Sequence, residues 1–474
     1  MDQFAQRRAQ FAEAIGDGVA IIPAGRDLTR NDDVNHEFRQ DSTFYFLTGF
    51  PEPDAVAVIH PSHPSAPYTL FVRPRDREME IWNGYRAGTE GAKSRFGADA
   101  AFPVDDLSEQ LKEHLIGCDT VYYRTGSPLD ATLLPMMDSL RPLAARYGRT
   151  IPTRLIDPSP ILDDLRLRKS EPELAHLRRA CDISVLGHEA AMRFTKPGVY
   201  EYQVQAAMEQ VFRQEGSPRN GYPSIVASGP NACILHYTEN DRQVEDGDLL
   251  LIDAAAESGH FSSDITRTFP ANGRFSATQR AVYDVVLAAQ RASIAVATAG
   301  NTHRDMDETA KRVVTEGLVD LGLLPRGLED SLSMHHYRQY FMHGTGHWLG
   351  MDVHDAGSVQ IGDESRTLEV GMSFTVEPGI YVAPDQETVE FVLMEGLHPA
   401  VIYERRFRMG WDAARKLEQE ETKDAPRVTH EIPAEFRGIG IRIEDDIAIT
   451  AAGSENLTSA LPVDPDEIEA FCQG

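Results

Sequence analysis

Apolar runs bounded by glycine or proline recur through the first third of the chain. They are GVAIIPAG at 18–25, TFYFLTGF at 43–50, AVAVIH at 55–60 and YTLFVRP at 68–74. Each is rich in β-branched or aromatic residues and predicts a strand. Residues 106–116 and 128–145 repeat apolar positions at helical spacing, so this part predicts an α/β unit. Prolines and mixed charge in DPSPILDDLRLRK, 157–169, mark the joint to the next domain. The expected boundaries are 1–165 and 166–474.

Beyond the joint, amphipathic periodicity predicts helices over 171–194, 200–215, 276–298 and 303–322. Ser170 is the N-cap of the first, with Pro172 in its first turn and Glu173 placed to close a capping box. Strands with one polar face lie between and after these helices, which makes this domain α+β with antiparallel hairpins. In LLLIDAAAESGHFSSDITRTF, 249–269, a hairpin turning at Ser258-Gly259 would set Asp253 opposite Asp264. Like charges opposed on a sheet repel, so the pair calls for a cation or a shared proton. The alternative is a solvated face with two exposed aspartates. In GIGIRIEDDIAIT, 438–450, five isoleucines share one parity while Arg442, Glu444 and Asp446 share the other. Residues 385–437 are densely charged, show no clean strand period joining their ends, and read as a partly helical insertion between two strands.

Size and charge narrow the class. A chain of 474 residues exceeds one ordinary core. The net charge of −28 leaves no basic field for nucleic acid or an anionic membrane. No apolar run is long enough to span a bilayer, and MDQFAQRRAQFAEAIGDG does not resemble a secretory signal. Four scattered cysteines without a CxxC pair suit reduced thiols. A cytoplasmic enzyme is the simplest expectation.

Candidate chemistry gathers in two more places. MHGTGHWLGMDVHD, 342–355, sets His343, His347 and His354 in a glycine-rich stretch, where Gly344 and Gly346 favour a loop over a helix. SFTVEPGIYV, 373–382, places Glu377 among β-branched residues before Pro378. Together, Asp253, Asp264, His347, Glu377 and Glu444 supply four carboxylates and one imidazole. Such donors favour a hard or borderline divalent ion, Mn²⁺ first, with Co²⁺, Zn²⁺ or Fe²⁺ as alternatives. Four carboxylates exceed what one ion needs, so a two-metal site is the economical reading, able to make hydroxide available from a bridging water near neutral pH.

At IDAA…SSDITRTFP, HGTGHWLGMDVHD, TVEPGIYV and GIGIRIEDD the chain resembles the pita-bread metallopeptidases, and within them the proline-specific aminopeptidase P family. SGPNACILHYTEN at 228–240, TRNDDVNHEFRQDSTFYFLTGF at 29–50 and EIWNGYRAG at 80–88 extend the resemblance over nearly the whole chain. It implies a C-terminal pita-bread (creatinase/aminopeptidase-like) domain preceded by a smaller α/β domain. It further implies that Asp253 binds one metal while Asp264 and Glu444 bridge two. His347 and Glu377 would complete the shells, with Glu377 also handling the proton of the nucleophilic water. His236 and His354 would hold the scissile carbonyl and stabilise the oxyanion, with His343 lining the pocket. Arg442 would orient carboxylates. Asp33 and Trp82 match positions that the family brings to the site, in some members from a neighbouring subunit. The implied substrates are peptides with proline second, cleaved by a homodimer or homotetramer.

Two departures stand out. Ala255 occupies a position where the family commonly has glycine, tolerable if its φ is negative, and the insertion at 385–437 lengthens the gap between Glu377 and Glu444. The main rival is prolidase, which accepts only dipeptides; Trp348 and EIWNGYRAG favour the aminopeptidase. A non-catalytic peptide-binding member of the fold is disfavoured because all five ligand residues are present.

Overall fold

The computed structural model describes residues 2–397 and 399–473. The chain forms two compact units, one ending at Arg166 and the other beginning at Leu167.

The first unit is built on a six-stranded mixed sheet. Its order is Ala100–Pro103, Tyr68–Val72, Val56–Ile59, Val19–Pro23, Thr120–Tyr122 and Arg154–Ile156. Val19, Ile21, Val58 and Phe71 pack with Leu111, Leu115 and Leu133 of the covering helices. One expected strand is a helix: residues 43–50 lie in Ser42–Thr48 and its cap. The Asp41 carboxylate accepts the Phe44 N–H at 2.8 Å, and Gly49 closes the helix in the left-handed region at φ +61. The two caps outweigh the β-propensity of the aromatic residues, which reflects packing more than backbone preference. The expected joint at 157–169 is likewise helical, over Ser159–Leu167, and starts where Asp157 accepts the Ser159 N–H.

In the second unit the four expected helices are Glu171–Phe194, Glu201–Gln214, Ala277–Val296 and His303–Asp320. Glu173 accepts the Ser170 N–H at 2.8 Å and completes the expected capping box. Apolar faces of these helices, including Val204, Val286 and Val314, bury against Val226, Leu250, Phe269, Ile380 and Ile441 of the sheets. The mixed content is the expected α+β organisation.

Two antiparallel pairings position the site. Leu249–Asp253 pairs with Thr266–Pro270, and beyond it a short hairpin turns at Gly259-His260, both residues having positive φ. The turn is one residue later than expected, so Asp253 faces Thr266, with Asp264 two residues along on the same face. In the second pairing, Ser373–Val376 runs against Asp445–Thr450 and Gly379–Tyr381 against Gly440–Arg442. The continuous strand expected over 438–450 is therefore broken at Ile443-Glu444. Pro378 in the facing segment has no N–H to give the ladder. The shared register sets Glu377 opposite Glu444 at this gap. A bridge from Thr266 to Glu444 joins the two pairings.

The inserted segment is partly helical, as expected, and differs from expectation only at its ends. Its ends form a regular antiparallel ribbon, Thr388–Val392 with Arg427–Glu431, enclosing the helices Pro399–Met409 and Trp411–Glu421. Val389 and Phe391 alternate inward into the main core, so a period of two is present although charged neighbours obscure it.

Candidate active site

A cavity of about 530 Å³ opens in the second unit. Its wall contains Asp253, Asp264, His347, Glu377 and Glu444, the five expected ligands, together with His236, His343, His354 and Arg442. The two sheet pairings bring Asp253, Asp264, Glu377 and Glu444. The glycine-rich loop brings the histidines at 343, 347 and 354, and the turn after the short Gly229–Cys233 helix brings His236.

The loop is fixed by close backbone contact. His347 donates its N–H to Thr375 Oγ1 at 3.1 Å, and its carbonyl accepts the Thr375 N–H at 3.0 Å. A Cβ on Gly346 would lie 1.9 Å from the Thr375 carbonyl oxygen, so only glycine permits this approach. His347 Nε2 then lies 3.4 Å from Asp264 Oδ2 and 3.6 Å from Glu377 Oε1. Asp264, His347 and Glu444 each offer a donor atom within 4.8 Å of the others.

The electrostatics of this group fit cations. Burial raises the Asp264 and Glu444 carboxyls above the usual carboxylate range, and their acidic neighbours add to it. Burial also pushes Glu377 up to about 7, against the charges of His347 and Arg442. Burial opposes a charge on His347, but its hydrogen bond to Asp264 and the field of Glu377 outweigh it and raise that imidazole to about 9. Four buried carboxylates crowded in this way face only two cationic groups, Arg442 and His347, which leaves their charge incompletely compensated. Their oxygen-rich donor set with one nitrogen suits divalent ions of the manganese-to-zinc series.

Arg442 holds one side of the site. It donates to Asp253 Oδ2 at 2.5 Å, Thr266 Oγ1 at 3.0 Å and the Tyr381 hydroxyl at 2.9 Å. Thr266 in turn donates to Glu444 Oε2 at 2.7 Å. His343 Nε2 lies 2.9 Å from the Tyr381 hydroxyl, and burial, aided by Arg442, lowers its pKa to about 4. Burial also lowers the pKa of His354, whose ring centroid is 4.1 Å from that of His347. Both therefore enter neutral solution as uncharged imidazoles.

Three further contributors have no role assigned from the sequence, although Tyr381 and Asp446 stand within TVEPGIYV and GIGIRIEDD. The Tyr222 hydroxyl lies 2.6 Å from Asp253 Oδ1 and 2.5 Å from Asp264 Oδ1, and one of the two accepts its single proton. Tyr381 links His343 to Arg442, and Asp446 accepts the Asp264 N–H at 3.0 Å. Asp446 carries a signal in retrospect: it shares parity with Arg442 and Glu444 and is fully buried.

Other expectations fall elsewhere. Trp348 is 2% exposed and packs with Met306, Leu368 and Phe374 in a core cluster, so it supports the fold and not substrate choice. Ala255 has no positive φ and is buried, which meets the condition for replacing glycine. Asp33 and Trp82 belong to the first unit, where both are exposed, Trp82 at 80%.

Residues 175–451 match the sequence model of Metallopeptidase family M24, and residues 4–122 match that of the aminopeptidase P N-terminal domain. The chain is 38% identical to the Xaa-Pro aminopeptidase of Escherichia coli, over 99% of this chain and 97% of that one. It superposes on Pseudomonas aeruginosa aminopeptidase PepP with a TM-score of 0.87 at 41% identity, covering 99% and 97% of the two chains. Zinc-substituted E. coli aminopeptidase P in complex with product gives 0.86 at 37%, covering 99% and 98%.

Proposed function

Because the chain belongs to metallopeptidase family M24, with the aminopeptidase P N-terminal domain ahead of a pita-bread catalytic domain, we propose that it releases the first residue from peptides with proline second. The observation that carries this reading is the cavity itself. Five metal-type donors line it beside three further histidines and the apolar side chains of Pro223, Ile225, Leu235 and Val353.

Asp253, Asp264, His347, Glu377 and Glu444 would hold two divalent ions, Asp264 and Glu444 between them, with Mn²⁺ the preferred occupant. Bound there, the ions supply Lewis acidity and a nucleophile generated from water. Glu377 takes the proton of the attacking water, and burial keeps its affinity for that proton high. His236 and His354 hold the scissile carbonyl oxygen and donate to the charge that develops on it. Arg442 fixes the orientation of Asp253 and, through Thr266, that of Glu444.

An Xaa-Pro bond is a tertiary amide without an N–H, so this site would hold it through its carbonyl, by His236 and His354, and seat the ring against Pro223, Ile225, Leu235 and Val353. Peptides with proline second are cleaved, while the same peptides with alanine second are much poorer substrates. Comparable kcat/KM for both would make the protein a broad aminopeptidase instead. Hydrolysis of a dipeptide Xaa-Pro but not of a tripeptide Xaa-Pro-Yaa would favour prolidase.

Self-association is the second part of the proposal. The helix Arg77–Asn83 and the residues after it leave Ile81, Trp82 and Tyr85 at 76%, 80% and 90% exposure. Aromatic residues on such a surface are enriched at interfaces. Trp82 would reach the site of a neighbouring subunit, with Asp33 beside it, in a homodimer or homotetramer. Trp82→Ala then impairs long substrates more than stability, and mixing it with Asp264→Asn subunits restores part of the activity. A monomer in sedimentation with full specific activity would exclude this arrangement. A cytoplasmic location completes the proposal; the four cysteines are all unpaired, and no helix among the described residues is long and apolar enough to cross a membrane.

A further inference from the structure

A second cavity, of about 930 Å³, adjoins the first. The two share Leu235, the neighbour of His236, and Met342 of the second directly precedes His343 of the first. The second cavity is built largely by the inserted segment: Phe391 from its ribbon, Ile402 and Arg406 from one helix, and Trp411, Arg415 and Glu418 from the other. Arg338 faces it from the 334–342 stretch.

Its arginines differ in how they are satisfied. Arg427 is paired with Glu390 at 2.8 Å. Arg338 and Arg406 are both half-buried and Arg415 is exposed, and among the described residues none of the three makes a hydrogen bond or ion pair with a carboxylate. The Arg406 guanidinium stacks on the Trp411 ring at 4.5 Å. Burial pulls the Arg338 pKa down, with the Arg406 charge adding to that pull and Glu418 opposing it. Glu421, a further acid of this wall, is paired with Arg405 outside the lining. A guanidinium is always charged. Although the Glu418 charge reaches Arg338, its buried Oε1 accepts no hydrogen bond, so the donors of Arg338 and Arg406 are left without a bonded carboxylate, which is unfavourable. Planar donors of this kind match a carboxylate, which they can bind through two parallel hydrogen bonds. The apolar lining suits the side chains of a peptide, and the shared wall lies beside the histidine assigned to the scissile carbonyl.

We propose that this cavity receives the distal part of the peptide substrate, with Arg338 and Arg406 recognising a carboxylate at the C-terminus or on an acidic side chain. The proposal rests on the peptidase reading above and extends it to a substrate class: oligopeptides carrying a negative charge downstream of the cleaved bond. The insertion thereby acts as a specificity element.

Steady-state kinetics on Xaa-Pro peptides of three to eight residues tests it, with each length made in three forms. One carries a free C-terminus, one a C-terminal amide, and one an amide with aspartate as the last side chain. Above a threshold length, the wild-type protein should show a KM about tenfold lower for both carboxylate-bearing forms than for the plain amide. A preference for the free C-terminus alone, or for aspartate alone, identifies the source of the carboxylate. Arg338→Gln/Arg406→Gln should raise those KM values to that of the amide while leaving kcat on the tripeptide unchanged, which also reports an intact fold. Arg406→Gln alone, at a helix surface, should produce part of the same rise. Equal KM for all three forms at every length, or a preference that survives the double substitution, would overturn the proposal. Failure to cleave any Xaa-Pro peptide would remove the peptidase reading and this one with it.

Discussion

Asp264→Asn and Glu444→Gln each remove at least about 100-fold of the activity, because substitutions that merely loosen a metal ligand already cost 10–100-fold. Both residues sit at the centre of the ligand group, within reach of His347. Each also lies near a second carboxylate, Asp253 through Tyr222 in one case and Glu377 across the broken ladder in the other. Metal content of the purified variants falls with activity. Stability behaves differently. Without metal, burial and the acidic neighbours already oppose ionisation of both carboxyls. A neutral amide of the same shape relieves that opposition, so the Tm of the metal-free variants equals or exceeds that of the metal-free parent. Only the increment contributed by bound metal is lost. Differential scanning calorimetry with and without chelator separates the two effects. A large fall in Tm of the metal-free protein would instead make these residues structural.

His236→Ala and His354→Ala lower kcat by about two to four orders of magnitude and leave metal content unchanged. Both side chains line the cavity without being needed to complete the coordination of the five ligands. Burial lowers the His354 pKa, so its neutral ring enters the reaction with one N–H available for the developing oxyanion. KM should move less than kcat, since the contact strengthens only as charge builds on the carbonyl oxygen. Metal analysis beside the kinetics decides the assignment. A loss of metal in step with activity would make the histidine a ligand.

Much of this site is legible in the sequence because its donors stand in strands and loops whose periodicity marks them. The parity of 438–450 separates Arg442 and Glu444 from the isoleucines, and the two sit in one cavity wall although the strand is interrupted between them. The interruption itself follows from Pro378 in another segment, a long-range effect that no local pattern in 438–450 contains. The hairpin at 249–269 is recognisable from its apolar run and its glycine, but the turn's position is not. Gly259 and His260 both take positive φ, and a shift of one residue in the turn moves the facing residue from Asp264 to Thr266. Tyr222 was invisible because it reaches Asp253 and Asp264 from a loop with no periodicity of its own. Residues 43–50 show the opposite failure. Their aromatic content imitates a strand, whereas the single contacts at Asp41 and Gly49 that make the helix carry little weight in a window average. Trp348 stands among the histidines in the sequence, yet its side chain packs into the core with Met306 and Phe374.

The measurement closest to the central claim is hydrolysis of one Xaa-Pro-Yaa tripeptide by protein stripped with chelator, verified metal-free, and then titrated with Mn²⁺. Activity should be absent in the stripped protein and return as metal is added, reaching its maximum at two ions per chain. Full turnover by the verified metal-free protein would contradict the account.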